Sequence, residues 1–260
     1  MSFAEQNGIR YYRFESFPAA LKQAVFTRQG GVSPAPWASL NVGGTVGDEA
    51  VRVRENRVRS FAALGRSLES LFDVWQVHSA DSAFATSPRK PGEDYQKADI
   101  ILTDRPEVTL YMRFADCVPT MLFDPRRGVI GMAHAGWLGT VRGAVAAAVR
   151  AMKAHYGSKP AEILAAIGPS IGPDHYEVGP DVVTQVNQAF GDAAAGFITG
   201  VEGRTYLDLW SANRVQLERS GVGKIEVAAV CTACHLEDWF SHRAEKGRTG
   251  RFGALMALPA

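Results

Sequence analysis

Six short apolar or alternating runs, each bounded by turn-forming residues, constrain the fold of this chain more than any other feature. They span residues 24–28, 108–114, 119–124, 128–135, 162–168 and 224–231. Runs of this length and composition are typical of β-strands. The stretch "FDPRRGV" at 123–129 links two of them through a short turn, which predicts that these two strands pair antiparallel.

Helical segments lie between the strands. The segment "TVRGAVAAAVRAMKAHYG" places its apolar residues on one helical face, with Thr140 as the expected N-cap and Gly157 as the stop. The segment "LDLWSANRVQLERSGV" has the same design and ends at Gly221. No repeat or linker divides residues 1–260. We therefore predict a single α+β domain with mixed, largely antiparallel β-sheet layers flanked by helices, rather than a doubly wound parallel fold.

Charge and composition restrict the class of partner. The chain has 28 Lys plus Arg against 27 Asp plus Glu, and its net charge of +1 does not favour nucleic acid or a membrane surface. It shows no long apolar run or signal-peptide layout, and its three cysteines do not form a disulfide framework. Phosphate-loop and dinucleotide signatures are absent. We expect a cytoplasmic protein acting on a small molecule, and the sequence indicates no particular oligomeric state.

Three residues with reactive side chains follow apolar runs. His78 closes "DVWQVH", while Cys117 and His134 lie at the ends of expected strands, where rigid elements present side chains to a cleft. Their separations match no compact zinc motif. From the residues alone, a metal site, a Cys–His nucleophile pair and buried residues without chemistry all remain open.

Nine motifs, in one order along the chain, carry a resemblance to a known family. They lie at residues 26–48, 55–57, 75–81, 116–125, 134–143, 165–179, 207–217, 231–232 and 240–251. Among them are "WQVHSAD", "ADCVPTMLFDP" and "HAGWLGTVRG". In these motifs the chain resembles the YfiH-like family, also called the multicopper polyphenol oxidoreductase or laccase-domain family and the purine nucleoside phosphorylase YfiH family.

The resemblance implies that His78, Cys117 and His134 together bind one metal, usually zinc. Three protein ligands leave a fourth position for water or substrate, and zinc lowers the pKa of bound water to about 7. Copper is the alternative or adventitious metal, since it binds such sites more tightly. Asp116 is a candidate for orienting the water or moving its proton, although a turn or cap role suits an aspartate there equally well.

The resemblance also implies a purine nucleoside phosphorylase that acts on adenosine, inosine, guanosine or methylthioadenosine, with adenosine deamination as a further reaction. Phosphate is then the second substrate. Candidate substrate-binding residues in the matching motifs are Arg28, Asn41, Trp137, Thr140, Arg142, Tyr176, Arg243 and Arg251. The arginines and the helix expected to begin near Thr140 suit anions, while the aromatic side chains suit a purine. The family usually has arginine where this chain has Leu138, so if that arginine contacts substrate in the family, this chain must bind its substrate differently or use Arg142 instead.

Other functions fit the same residues. A zinc amidase that edits peptidoglycan precursors, a role attributed to bacterial members of the family, needs the same metal ligands. A metal-free cysteine hydrolase would use Cys117 as nucleophile with His134 or His78 as base, and a non-catalytic scaffold is a further alternative. Laccase chemistry fits poorly, because the chain has only six histidines and no His-x-His pair.

The stretch "CTACH" at 231–235 invites two further interpretations. It reads literally as a c-type haem attachment sequence, and Cys231, Cys234, His235 and His242 together suggest a structural zinc site. Haem attachment normally follows export, for which the sequence shows no signal. The family motif covers Cys231 and Thr232 but neither Cys234 nor His235, which favours a packing role for this stretch.

Overall fold

The computed structural model describes residues 2–259, which form fourteen strands and five α-helices. The strands are β1 Phe3–Gln6, β2 Ile9–Tyr12, β3 Lys22–Phe26, β4 Leu71–Phe72, β5 Ser82–Phe84, β6 Ile100–Thr103, β7 Thr109–Phe114, β8 Val118–Asp124, β9 Val129–Ala135, β10 Leu164–Ile167, β11 Ile198–Val201, β12 Arg204–Leu207, β13 Lys224–Val227 and β14 Phe252–Ala257. The helices are α1 Ala50–Ala63, α2 Trp137–Val141, α3 Ala144–Tyr156, α4 Pro180–Phe190 and α5 Leu209–Arg219.

The strands form two large mixed sheets and one hairpin. The first sheet has the order β1-β2-β3-β14-β7-β4 and is antiparallel except where β4 pairs with β7. The second has the order β13-β10-β8-β9-β6-β5, with parallel pairs only at its two edges. Strands β11 and β12 form a separate antiparallel pair. The predicted α+β fold with largely antiparallel sheets is confirmed.

The β8–β9 hairpin forms as the sequence predicts, because its turn residues satisfy the backbone locally. The Asp124 Oδ1 atom accepts hydrogen bonds from the backbone N–H groups of Arg126 (2.9 Å) and Arg127 (3.1 Å). Gly128 adopts φ 64°, a left-handed conformation that costs glycine little. The resulting register runs from Val118 opposite Ala135 to Asp124 opposite Val129.

The two sheets pack face to face, and helices cover their outer faces. Val25 and Met112 of the first sheet share a buried cluster with Met121 and Ile130 of the second. A second cluster joins the outer face of the second sheet to α3, α4 and α5, and a third joins the outer face of the first sheet to α1. Strands β8 and β9 are therefore buried along their whole lengths, which explains their continuously apolar sequences.

The helix expected from Thr140 to Gly157 is wrong at its start. The chain forms the short helix α2 from Trp137, and α3 starts only at Ala144. Gly143 separates the two helices at φ 75°, a conformation that interrupts a helix and that glycine adopts without a Cβ clash. Thr140 lies inside α2 and caps nothing, whereas Gly157 ends α3 as predicted.

The remaining expected elements agree with the structure apart from their ends. All six predicted strand regions contain a strand, but the run at 224–231 is a strand only as far as Val227. The second predicted helix is α5, whose N-cap Asp208 accepts a hydrogen bond from the Ser211 N–H (3.0 Å).

Among residues 2–259, no helix combines the length and the apolar character needed to cross a bilayer.

Candidate metal centre

His78, Cys117 and His134, called here the candidate centre, come together at one end of the β8–β9 hairpin. Cys117 immediately precedes β8, and His134 lies near the end of β9, so antiparallel pairing places them side by side. The Cys117 Sγ atom is 3.9 Å from His78 Nε2, and the two imidazole ring centroids are 4.9 Å apart. One ligand atom from each residue lies within 4.8 Å of the other two.

The backbone around the candidate centre adopts conformations that are uncommon for residues with side chains. His78 has φ 58° and Asp116 has φ 79°, both in the left-handed region. Such conformations persist only where the surrounding structure holds them, and they are frequent at functional sites. A Cβ atom on Gly136 would lie 2.7 Å from Cys117 Sγ, so the thiol needs a glycine at this position.

A buried carboxylate orients the candidate centre. The Asp99 Oδ1 atom is 2.8 Å from His134 Nδ1, and Asp99 Oδ2 accepts hydrogen bonds from the backbone N–H groups of Val77 (3.0 Å) and Ser79 (2.6 Å). Asp99 therefore fixes the His134 ring and also holds the segment that carries His78. With Nδ1 occupied by this carboxylate, Nε2 of His134 is the nitrogen available to a metal ion.

Sequence reasoning missed Asp99. It directly precedes β6 in the stretch "KADI", where the sequence predicts only an ordinary turn aspartate. Its complete burial is the property that distinguishes it, since buried carboxylates are normally paired. That burial becomes visible only when β6 lies beside β9 in the folded sheet.

Asp99, His134 and Cys117 stabilise one another's charged forms. Desolvation opposes ionisation of Cys117, but the charge and hydrogen bonds of His134 and then His78 lower the pKa of this thiol to about 6. Desolvation likewise opposes protonation of His134, but Cys117 and Asp99 raise its pKa to about 9. Burial of Asp99 is outweighed by His134 and two backbone N–H groups, so its pKa falls to about 2. These shifts favour a Cys117 thiolate beside a protonated His134.

The donor set of the candidate centre fits a transition metal. Two imidazoles and one thiolate are ligands that zinc and copper both accept. His134 is buried, Cys117 is half-buried and His78 is exposed, so the cluster opens to solvent on one side. Three ligands with an open side are the pattern of a catalytic rather than a structural zinc site.

Asp116 joins three chain segments behind Cys117. It is buried, and its Oδ1 accepts a hydrogen bond from the Thr232 hydroxyl at 2.7 Å. Its Oδ2 accepts from the Arg243 backbone N–H at 2.7 Å, and its carbonyl accepts from the Ile171 N–H at 3.0 Å. Both carboxylate oxygens are thus occupied by protein donors.

Tyr176 and Arg251 lie close enough to Cys117 for its charge to act on them, Arg243 lies beside Tyr176, and Trp137 follows Gly136 at the start of α2. The Arg243 guanidinium carbon lies 5.0 Å from the Tyr176 ring centroid, and Arg243 Nη1 donates to the Glu177 carbonyl at 2.7 Å. Desolvation raises the pKa of Tyr176, and the negative charge of Cys117 raises it further. A hydrogen bond with the Trp137 backbone acts in the opposite direction. Burial lowers the pKa of Arg251, and the charge of Cys117 opposes that effect.

Arg28 and Arg142 are engaged with the protein itself. The Arg28 Nε donates to the Ala38 carbonyl at 2.7 Å, and its Nη1 lies 3.2 Å from Glu245 Oε1. Its guanidinium carbon also lies 4.4 Å from the Phe240 ring centroid. The Arg142 Nη1 donates to the His78 carbonyl at 2.8 Å, so Arg142 supports the backbone of one residue of the candidate centre.

Asn41 and Thr140 make buried hydrogen bonds within the protein. The Asn41 Oδ1 accepts from the Arg251 N–H at 2.9 Å, so it fixes the backbone of a residue at the candidate centre. The Thr140 Oγ1 accepts from Asn213 Nδ2 at 3.0 Å. The helix that contains Thr140 begins at Trp137 and has only five residues, so the sequence misplaced its N-terminus.

A second cluster of potential metal ligands involves the "CTACH" stretch. It comprises Asp174, His175, Cys231 and Cys234, whose ligand atoms lie within 4.8 Å of one another. The alternative zinc set of Cys231, Cys234, His235 and His242 does not form, because the two cysteines lie beside Asp174 and His175 instead. His235 Nδ1 instead lies 3.2 Å from Glu237 Oε1, and neither of these histidines belongs to a ligand cluster within residues 2–259.

Comparisons with known proteins agree with the motif resemblance. A family model described as multi-copper polyphenol oxidoreductase laccase matches residues 22–259. A purine nucleoside phosphorylase from Deinococcus radiodurans is 40% identical over 240 residues, covering 92% of this chain and 90% of the relative. The purine nucleoside phosphorylase YlmD from Geobacillus stearothermophilus is 38% identical over 239 residues, covering 88% of this chain and 87% of the relative.

Solved structures show the same fold. The crystal structure of YlmD from Geobacillus stearothermophilus superposes with a TM-score of 0.92 at 34% identity, covering 99% of both chains. The crystal structure of Bacillus licheniformis hypothetical protein YfiH gives a TM-score of 0.89 at 33% identity and covers 98% of both chains.

Proposed function

This chain belongs to the multi-copper polyphenol oxidoreductase laccase family, and we propose that it is a zinc-dependent purine nucleoside phosphorylase with its reaction centre at His78, Cys117 and His134. Relatives named purine nucleoside phosphorylase support a phosphorylase-like function. The observation that carries the proposal is the convergence of two imidazoles and a thiolate on an open site bordered by arginines and Tyr176. The proposed substrates are adenosine, inosine, guanosine or methylthioadenosine.

His78, Cys117 and His134 are the proposed zinc ligands. The thiolate form of Cys117 is the form that coordinates metal, and its pKa of about 6 makes it the main form at neutral pH. When bound, zinc supplies a Lewis acid and a bound water of lowered pKa. Asp99 keeps the His134 ring in the orientation that coordination requires.

Phosphorolysis requires an anion and a purine nucleoside to lie together. A phosphate oxygen forms a bond to the ribose C1′ atom while the bond from C1′ to the purine nitrogen breaks, and the departing purine takes up a proton. Arg243 and Arg251 are the proposed phosphate ligands, because guanidinium groups bind phosphate in bidentate geometry. Tyr176 and Trp137 are the proposed contacts of the purine ring.

Asp116 is proposed to position the candidate centre rather than to carry a proton. Its two carboxylate oxygens accept hydrogen bonds from Thr232 and the Arg243 backbone. Its left-handed backbone conformation sets the direction of the chain immediately before Cys117. An aspartate bound in this way links the cysteine ligand to the segment that carries the proposed phosphate ligand Arg243.

The test combines metal content with purine release on one reductant-treated preparation. We expect zinc in the wild-type protein and release of free base from adenosine and inosine only when phosphate is present, with loss of turnover in Cys117→Ser. Ammonia release from adenosine would identify the additional deaminase reaction. Zinc at the candidate centre without nucleoside turnover, even in the presence of phosphate, would contradict the proposal.

A metal-free cysteine hydrolase is the second candidate function, because the Cys117 thiolate beside the His134 imidazolium is also an activated nucleophile. Chelation separates the two. Removal of metal should abolish nucleoside phosphorolysis, whereas a cysteine hydrolase would keep its activity and lose it on alkylation of Cys117.

A further inference from the structure

The second cluster is built by two loops that face each other. Asp174 and His175 lie in the loop after β10, and Cys231 and Cys234 lie in the loop after β13. The His175 Nδ1 atom is 3.5 Å from Cys234 Sγ and 3.8 Å from Cys231 Sγ. Asp174 Oδ2 lies 3.6 Å from Cys234 Sγ and 3.0 Å from His175 Nδ1. Four potential ligand atoms thus share one small space.

These distances approximate the edges of a zinc tetrahedron. Zinc binds sulfur at about 2.3 Å and imidazole nitrogen at about 2.0–2.1 Å, so tetrahedral geometry separates sulfur from nitrogen by about 3.6 Å and nitrogen from oxygen by about 3.4 Å. The observed separations of 3.5 and 3.8 Å between sulfur and nitrogen agree with the first value. The nitrogen–oxygen pair, at 3.0 Å, needs to open by only a few tenths of an ångström, a shift within reach of exposed side chains.

The surrounding backbone is shaped to hold the Cys231 sulfur. The Gly172 N–H donates to Cys231 Sγ at 3.1 Å, and a hydrogen bond of this kind stabilises a thiolate. A Cβ atom on Gly172 would lie 2.7 Å from Asp174 Oδ1 and 3.1 Å from Cys231 Sγ. Glycine at this position lets the two loops approach each other closely.

We propose that Asp174, His175, Cys231 and Cys234 bind a second zinc ion, separate from the candidate centre. Two thiolates and an imidazole select zinc among the common divalent ions, and four protein ligands form a closed, structural site. Asp174, His175 and Cys234 are exposed, so the ion can enter without unfolding of the chain.

The second zinc would tie together two loops that lead directly to the candidate centre. Tyr176 follows His175 in the chain, and Thr232 follows Cys231 and donates to Asp116. Joining the loops through a metal fixes both neighbours at once. The site is therefore a positioning device, and its occupancy is independent of which reaction the candidate centre catalyses.

Zinc content per chain tests the proposal on protein purified with reductant and without chelator. We expect about two equivalents in the wild type, about one in Cys234→Ser, about one in Cys117→Ser and almost none in the double variant. Asp174→Asn provides a second variant that an exposed position should tolerate, and it is expected to weaken zinc binding at the second cluster only. The matched control is His235→Ala, one residue from Cys234, which should retain about two equivalents because His235 contacts Glu237 instead.

Three results would overturn the second site. The first is that Cys234→Ser holds as much zinc as the wild type. The second is that His235→Ala loses as much zinc as Cys234→Ser does. The third is that Cys231 and Cys234 form a disulfide and hold no metal in the protein purified with reductant. If the wild type holds a single zinc that only Cys117→Ser removes, and it releases purine with phosphate, the second site fails while the proposed function stands. If Cys234→Ser lowers the zinc content but no nucleoside turns over in the wild type, the second site stands and the proposed function fails.

Discussion

Asp99 and His134 form a buried pair in which the carboxylate Oδ1 lies 2.8 Å from the imidazole Nδ1. The same carboxylate binds the backbone on both sides of His78, so one side chain organises two of the three proposed ligands. Hydrogen bonds within the protein therefore position both histidines of the candidate centre. Carboxylates that support a metal-binding histidine in this way contribute strongly to metal affinity.

We predict that Asp99→Asn weakens zinc binding at the candidate centre by about 10–100-fold, because the amide supports the His134 ring less well than the carboxylate does. Competition with a chromophoric chelator measures this affinity. Asp81→Asn is the matched control, since it removes the same charge from an exposed position between His78 and β5 and should leave the affinity unchanged. Equal affinities in wild type and Asp99→Asn would remove the supporting role of Asp99.

We predict that Cys117 in the metal-free protein alkylates with a pH midpoint near 6, the pKa that His134 and His78 produce against desolvation. The folded pKa is lower than that of an ordinary cysteine, about 8.5, so the reactive thiolate persists at neutral pH and is lost as the pH falls through about 6. Mass spectrometry of the Cys117 peptide measures the rate separately from the other cysteines. A midpoint near 8.5 would contradict the thiolate–imidazolium pair, and zinc should suppress the reaction.

The sequence predicted the strands and helices of the fold better than the residues that meet at the candidate centre. Apolar runs identified β7 to β10 because strands buried between layers carry a continuous apolar signal. Short edge strands such as β4 and β5 carry too few residues to give such a signal. The break between α2 and α3 depended on the backbone conformation of Gly143, which the apolar pattern around it does not indicate.

The proposed metal ligands likewise depend on contacts between residues that are far apart in the sequence. His78, Cys117 and His134 needed the family resemblance, because sheet pairing rather than sequence spacing brings them together. In the "CTACH" stretch, the two cysteines were visible as a pair, but the histidine beside them in sequence points to Glu237. His175 is their partner from a separate loop, and no local pattern connects residues so far apart.

We predict that Gly136→Ala lowers the turnover rate by about 100-fold. The added methyl would lie 2.7 Å from Cys117 Sγ, so the sulfur must move. A misplacement of a reacting group by about 1 Å costs a factor of about 100 in rate. Steady-state purine release measures the loss. Gly223→Ala is the matched control, since no atom lies within 4 Å of its added Cβ and its backbone is not left-handed. Unchanged turnover in Gly136→Ala would show that close packing against Cys117 is not needed for function.

We predict that Arg243→Lys raises the KM for phosphate by about tenfold, which corresponds to about 1.4 kcal/mol, with a much smaller change in the KM for inosine. Lysine keeps the positive charge but loses the planar fork that binds phosphate at two points, and it cannot cover the Tyr176 ring as the guanidinium does. Arg214→Lys is the matched control, because Arg214 pairs with Glu218 on the exposed surface of α5. Initial rates at varied phosphate and fixed inosine separate the two constants. If the KM for inosine rises while that for phosphate stays constant, Arg243 contacts the nucleoside, and the proposed phosphate site must be assigned to Arg251 alone.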